Sequence, residues 1–342
     1  MKITSIKTEV KHIPLKTPFI TALRKVVHVD FVRILSICDN GFIGIGEAPA
    51  TKAITGEDID DILNSIERVK DRLKSHMPKE ALLILHSTCQ DVGNSAKAAL
   101  DMALLSLLAQ EKGVPLFKYF GAKEATVLKT DVTISLNNPH AMLREVAVAC
   151  GNGLEILKIK FGKDIPHAID VTKQVSTRFP HAKLLIDANQ AWSVEDTIKY
   201  IKETKNIKIE LIEQPVIAED TEGLKTITQN SHMPIVADEA VFTFEDAKNI
   251  IETKSADMIN IKLMKCGGVS KAIEILEYAR AKNIKCMLGS MLESPHSINA
   301  AIHLAMAYCD VISYIDLDSP LLYKELPDEL DFEFCKNEIR II

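Results

Sequence analysis

Eight short apolar runs recur along the last two-thirds of this chain, and their spacing restricts the fold more than any other feature. They are DVTIS (131–135), EILKIK (155–160), KLLID (183–187), IELIE (209–213), PIVAD (234–238), DMINIK (257–262), IKCML (284–288) and VISYI (311–315), with starts 23–28 residues apart. Most are apolar on successive residues rather than on alternate ones, and helical stretches separate them. Strands written this way are covered on both faces, as in a parallel sheet flanked by helices. Eight such units in series predict a (β/α) barrel. An open doubly wound sheet shares the texture, but no GxGxxG turn follows the first runs.

Residues 1 to about 125 read differently. Strand-like segments KITSIKTEV, FVRILSICD and FIGIGEA are followed by two helical patterns, EDIDDILNSIERVKDRL and NSAKAALDMALLSLLAQEKG. The second is apolar almost all round, which predicts burial between two layers, and it ends at Gly113 with Pro115 beyond. This half is predicted to be an α+β capping domain over 1–125. The tail, about 319–342, is expected to complete it by adding a strand, and the barrel domain spans 126–318.

Six of the eight runs, the second to the sixth and the eighth, end in or are directly followed by a charge. Such a group at the end of a buried strand is costly unless it is paired or binds something. In a barrel those ends form the face where active sites sit. Asp187, Glu213 and Asp238 close runs three, four and five. One such acid reads equally well as the cap of the next helix. Three on neighbouring strands would repel one another, and a hard divalent cation resolves that repulsion. An oxygen-only donor set with no His or Cys suits Mg²⁺ rather than zinc.

Lys160 closes run two and Lys262 closes run six, opposite positions in a ring of eight. Lys158 shares a side with Lys160 and is expected to disfavour double protonation and lower an amine pKa. A lysine tuned this way is a general base near neutral pH. With a substrate carboxylate on the metal, one lysine would take the α-proton from one face and the other return it on the opposite face. That describes an epimerase or racemase. Asp316 and Asp318, at the end of run eight, would hold a cation at the far end of the substrate, such as a free ammonium. The alternative for DLDSP is a helix cap or turn.

These residues and motifs resemble the enolase superfamily, in its muconate-lactonizing subgroup, and within it the dipeptide epimerases. The motifs are TALRKV near residue 21, GxGEA (44–48), TGED (55–58), KIK (158–160), DANQAW (187–192), EQP (213–215), DE (238–239), INIKLMKCGG (259–268) and DLD (316–318). The resemblance covers essentially the whole chain. It implies a modified TIM barrel, (β/α)7β-like, with one Mg²⁺ per subunit on Asp187, Glu213 and Asp238. Lys160 and Lys262 would be the acid/base pair, supported by Lys158. Asp316 and Asp318 would bind the dipeptide ammonium, Thr133 would lie near the substrate, and Arg24, on a lid loop over 16–28, would pair with a side-chain carboxylate. The leading substrates are L-Ala-L-Glu and L-Ala-D-Glu, in cytoplasmic recycling of peptidoglycan peptides. An N-acylamino acid racemase, an o-succinylbenzoate synthase, a muconate cycloisomerase and a non-catalytic carboxylate-binding protein stay open, as does a homo-oligomer.

Composition agrees with a soluble globular chain. The net charge is −6 and the pI about 6.0, so no nucleic-acid partner is expected. MKITSIKTEVKHIPL lacks the apolar core of a signal peptide, and no stretch approaches the ~20 apolar residues of a membrane span. A cytoplasmic protein is therefore predicted. Its seven cysteines form no CxxC pair and are expected to be reduced, mostly buried thiols.

Overall fold

The computed structural model describes residues 1–20, 25–325 and 330–342. Its centre is a parallel sheet of eight strands, each hydrogen-bonded to the next in chain order. Barrel strands one to eight are Val132–Ile134, Ile156–Lys160, Lys183–Asp187, Ile209–Glu213, Ile235–Ala237, Met258–Lys262, Lys285–Gly289 and Ile312–Asp316. Each lies on its apolar run, displaced by at most one residue. The ring closes between strands eight and one. Asp131 N–H donates to Ile315 O at 3.1 Å. Thr130 Oγ1 donates to the same carbonyl at 3.2 Å and accepts from Leu317 N–H at 2.9 Å. Those bonds make the sheet a barrel rather than an open doubly wound sheet.

Alternation along the strands explains the barrel's interior. Leu185, Leu211 and Val236 stand two residues before Asp187, Glu213 and Asp238, so they point to the same side one layer lower. With Met258 and Met287 they form a buried apolar cluster that fills the barrel beneath the charged layer. Long helices follow strands one to seven, whereas strand eight is followed only by Ser319–Leu322. This is the (β/α)7β arrangement.

The N-terminal half is a three-stranded antiparallel sheet, Ile3–Ile20, Lys25–Cys38 and Ile43–Pro49, covered by helices Ile59–Leu73, Pro78–Thr88 and Asn94–Lys112. Asp58 and Asp61 form a capping box that starts the first of these helices. The GxG of the third strand has a steric purpose. A Cβ at Gly44 would overlap the Ala103 carbonyl, and one at Gly46 the Ala99 carbonyl, both on the long helix. The two glycines let that Ala-rich helix sit directly on the sheet. Gly46→Ala is expected to destabilise the protein by about 1–3 kcal/mol through overpacking. Thermal unfolding checks this, and an unchanged Tm would show that the helix can retreat without cost.

Two expectations are corrected. The tail does not add its strand to the N-terminal sheet. Phe332–Cys335 and Glu338–Ile341 form a hairpin paired with Leu128–Lys129, at the entry to barrel strand one. The Asn337 side chain fastens it there, donating to Thr130 O and accepting from Glu155 N–H. The tail's backbone contact with the N-terminal sheet is an isolated bridge, Tyr323 opposite Leu15, with Lys324 N–H donating to Pro14 O at 2.8 Å. The seven cysteines are free, but three are buried, two half-buried and two, Cys309 and Cys335, exposed. Among the described residues no helix is long and apolar enough to cross a membrane.

Candidate active site

The acids of strands three to five are buried side by side. Asp187 and Glu213 are fully buried and Asp238 nearly so. Asp187 pairs in register with Glu213. Gln214, in the left-handed region at φ 34°, turns its amide toward strand five. Its Oε1 accepts from Asp238 N–H at 2.8 Å and Ala240 N–H at 3.1 Å. The EQP motif thereby holds the next acid in place.

Four lysine ammoniums converge on these carboxylates. Lys160 Nζ lies 2.6 Å from Asp187 Oδ2. Lys158 Nζ contacts Glu213 Oε2 at 2.7 Å and Asp187 Oδ2 at 3.3 Å, and Asp316 Oδ2 at 2.7 Å. The Glu213 contact is an ion pair without hydrogen-bond geometry, whereas Glu213 Oε1 accepts from Asn260 Nδ2 at 2.9 Å. Lys262 donates to Asp238 Oδ2 at 2.7 Å and Lys265 to Oδ1 at 2.5 Å.

Burial raises a carboxyl pKa and a nearby cation lowers it. For Asp187 burial is outweighed by Lys160 and Lys158, which hold it down to about 2. For Asp238 burial is outweighed by Lys262 and Lys265, which hold it below the carboxylate range. For Glu213 burial wins over Lys158, and the carboxyl is pushed up to about 7. Burial would likewise lower the Lys158 amine, but Asp316, Glu213, Asp187 and Asp131 outweigh it and hold it well above an ordinary lysine. The Lys158 amine is thus raised rather than depressed. Its charge is absorbed by carboxylates, and it does not line the pocket.

The donor set fits a hard divalent cation. Three buried carboxylates on adjacent strands concentrate negative charge, and among the described residues no histidine or cysteine takes part in their ion pairs.

Above them opens a pocket at the mouth of the barrel. Lys160 and Lys262 both line it, with Asn189, Asp238, Asp316 and Asp318. Thr133 lines it too, and its N–H donates to Asp318 Oδ2 at 2.6 Å. Burial and the adjacent Asp316 push Asp318 up to about 6, whereas Lys158 first among its neighbours outweighs burial and lowers Asp316. Phe19 of the N-terminal hairpin and Ile54 of the capping domain form part of the wall. The pocket therefore joins Asp238 of the carboxylate cluster, two lysines from strands two and six, and an acidic pair near the end of strand eight.

Residues 3–121 match the model of the mandelate racemase/muconate lactonizing enzyme N-terminal domain, and 141–341 the enolase C-terminal domain-like model. The chain belongs to the enolase superfamily. An enolase-superfamily relative from Sulfurimonas denitrificans, named L-amino acid-D/L-Glu epimerase, is 59% identical over 340 residues, 99% of each chain. The substrate-liganded L-Ala-D/L-Glu epimerase of Bacillus subtilis superposes with a TM-score of 0.96 at 38% identity, covering 100% of this chain and 97% of that one. The Enterococcus faecalis dipeptide epimerase, complexed with Mg and L-Leu-L-Tyr, gives 0.93 at 31% identity, with 100% and 97% covered.

Arg24 lies outside the described residues. The structure also adds polar residues that carry no assignment from sequence. Asn189 accepts from Lys160 at 3.3 Å and donates to Glu239 Oε1 at 3.3 Å. Lys265 follows Lys262 on the four-residue helix Leu263–Cys266. Asn189 and Glu239 sit within the DANQAW and DE motifs, so their positions were visible although their contacts were not. Asp131 completes a second acidic group, with Asp316 and Asp318, whose oxygens lie within 4.8 Å of one another.

Proposed function

We propose that this protein is a Mg²⁺-dependent dipeptide epimerase that inverts the α-carbon of the C-terminal residue, with Asp187, Glu213 and Asp238 as metal ligands. The observation that carries the reading is that Lys160 and Lys262, from opposite strands of the ring, line one pocket with Asp316 and Asp318. Magnesium, when bound, supplies positive charge to the substrate carboxylate and so acidifies the adjacent α-proton. Lys160 and Lys262 then divide the proton transfer. The one that is neutral removes the proton from its own face, and the ammonium of the other delivers a proton to the opposite face. Asp316 and Asp318 hold the dipeptide ammonium. Lys158 keeps Glu213 and Asp316 in place without touching the substrate.

The relatives' names support an acidic C-terminal residue. The Sulfurimonas relative is named for an L-amino acid at the first position, so we extend the proposal from L-Ala-Glu to L-Xaa-Glu dipeptides. Arg24 is the proposed partner of the side-chain carboxylate, and peptidoglycan peptides in the cytoplasm are the proposed source.

The test is α-proton exchange in D₂O with L-Xaa-L-Glu dipeptides. Incorporation of deuterium with inversion is expected, and its absence for every such dipeptide sinks the reading. The ammonium assignment has its own readout. Asp316→Asn or Asp318→Asn is expected to raise KM for free dipeptides about 10- to 100-fold, the value of a hydrogen bond to a charged group. Equal turnover of N-acetylated and free dipeptides by the unaltered protein would favour an N-acylamino acid racemase instead.

A further inference from the structure

Asp131 is a buried acid that the proposed reaction leaves unused. It immediately precedes barrel strand one, and it is 1% exposed. Both of its carboxyl oxygens are buried and find no hydrogen-bond partner among the described residues. One oxygen each of Asp131, Asp316 and Asp318 lies within 4.8 Å of the other two. Asp316 and Asp318 line the pocket, and Asp131 does not. Alternation places Asp131 on the side of Thr133, one layer deeper. It therefore sits beneath the acidic pair.

Three ionised carboxylates at this spacing in a buried setting would repel strongly unless each had a counter-charge or donor. Asp316 has the Lys158 ammonium at 2.7 Å, and Asp318 has the Thr133 N–H at 2.6 Å. Lys158 is the cation in contact with the group, with Lys262 and Lys160 farther off across the pocket, and it is also committed to Asp187 and Glu213. Asp131 is the member of the three with least support for a negative charge.

We propose that Asp131 stays a neutral carboxylic acid in the working enzyme and acts as a positioning residue, directing its proton to Asp316 from below. Asp316 is then fixed with its charge toward the pocket. Burial first, then the Asp316 and Asp318 charges, push the Asp131 carboxyl well above the carboxylate range. The positioning role rests on the reading of Asp316 and Asp318 as the ammonium pair. The protonation state does not. A metal ion held by the same three acids would demand the opposite, an ionised Asp131.

Infrared difference spectroscopy of the full-length, Mg²⁺-loaded protein against its Asp131→Asn variant tests the protonation directly, with no substrate present. A protonated-carboxyl C=O stretch that shifts in D₂O is expected in the unaltered protein and is lost in the variant. Kinetics test the positioning. Asp131→Asn stays neutral and keeps a donor, so KM for free dipeptides should remain within about threefold. Asp131→Leu and Asp131→Ala remove the donor and should raise KM about tenfold, the scale of one lost hydrogen bond, with kcat less affected. Absence of the protonated band, or a KM in Asp131→Asn as high as in Asp131→Leu or Asp131→Ala, overturns the proposal. An unchanged KM in a folded Leu or Ala variant overturns the positioning role. A band present in the unaltered protein and lost in Asp131→Asn, together with no α-exchange by the unaltered protein, would sink the epimerase reading and leave the neutral acid standing.

Discussion

Lys160→Ala and Lys262→Ala are each expected to cripple epimerisation, with a loss on the order of 10²–10⁴-fold, the usual contribution of one positioned acid or base. The two residues extend from strands two and six into the same pocket, so neither can do the other's work from its own side. Each variant should still exchange the α-proton of one epimer with solvent deuterium, the one whose proton faces the remaining lysine, without inverting it. The two variants should differ in which epimer they label. Arginine at either position should not restore turnover, because a guanidinium does not give up its proton near neutral pH. NMR of each enantiomerically pure dipeptide in D₂O reads both quantities at once. Normal turnover in both directions by either alanine variant would end the two-base scheme.

Much of the barrel was legible because parallel strands covered on both faces leave continuous apolar runs, and because crossover helices set a regular spacing. The positions of Asp187, Glu213 and Lys262 were legible for a related reason. A charge ending such a run has few places to go except the catalytic mouth. Depth was not legible. Alternation says that Lys158 shares a side with Lys160, but not that three carboxylates enclose it. Lys265 escaped because it lies past the strand, where the two-residue period no longer applies. Asp131 opens its run instead of closing it, and its neighbours come from the far end of the chain across the seam. The tail hairpin was misplaced because short amphipathic strands specify pairing without specifying a partner. Its docking depends on Asn337, whose contacts at Thr130 and Glu155 have no local signature.

Removal of a metal ligand should rival removal of a lysine in effect. Glu213 is the best choice, since it is fully buried and sits between the acids of strands three and five in the ring. Glu213→Gln keeps the shape and the contact with Asn260 through its remaining oxygen, but removes one charge of the donor set. A hard cation such as Mg²⁺ binds mainly through charged oxygens, so its affinity should fall at least about 100-fold by calorimetry, more than a supporting residue would cost. The rate should fall on the order of 10³-fold, the equivalent of several kcal/mol of charge stabilisation. Chelation of the unaltered protein should likewise stop α-exchange, and added Mg²⁺ should restore it. The variant has an internal control. Glu213 is pushed up to about 7 by burial, against Lys158, so its neutral analogue should fold without a large loss of Tm. A Glu213→Gln protein that folds and binds Mg²⁺ as tightly as the unaltered chain would move the metal away from strands three to five. The remaining acidic group on the described residues, Asp131 with Asp316 and Asp318, would then become the site to examine, and the ammonium assignment would have to be abandoned with it.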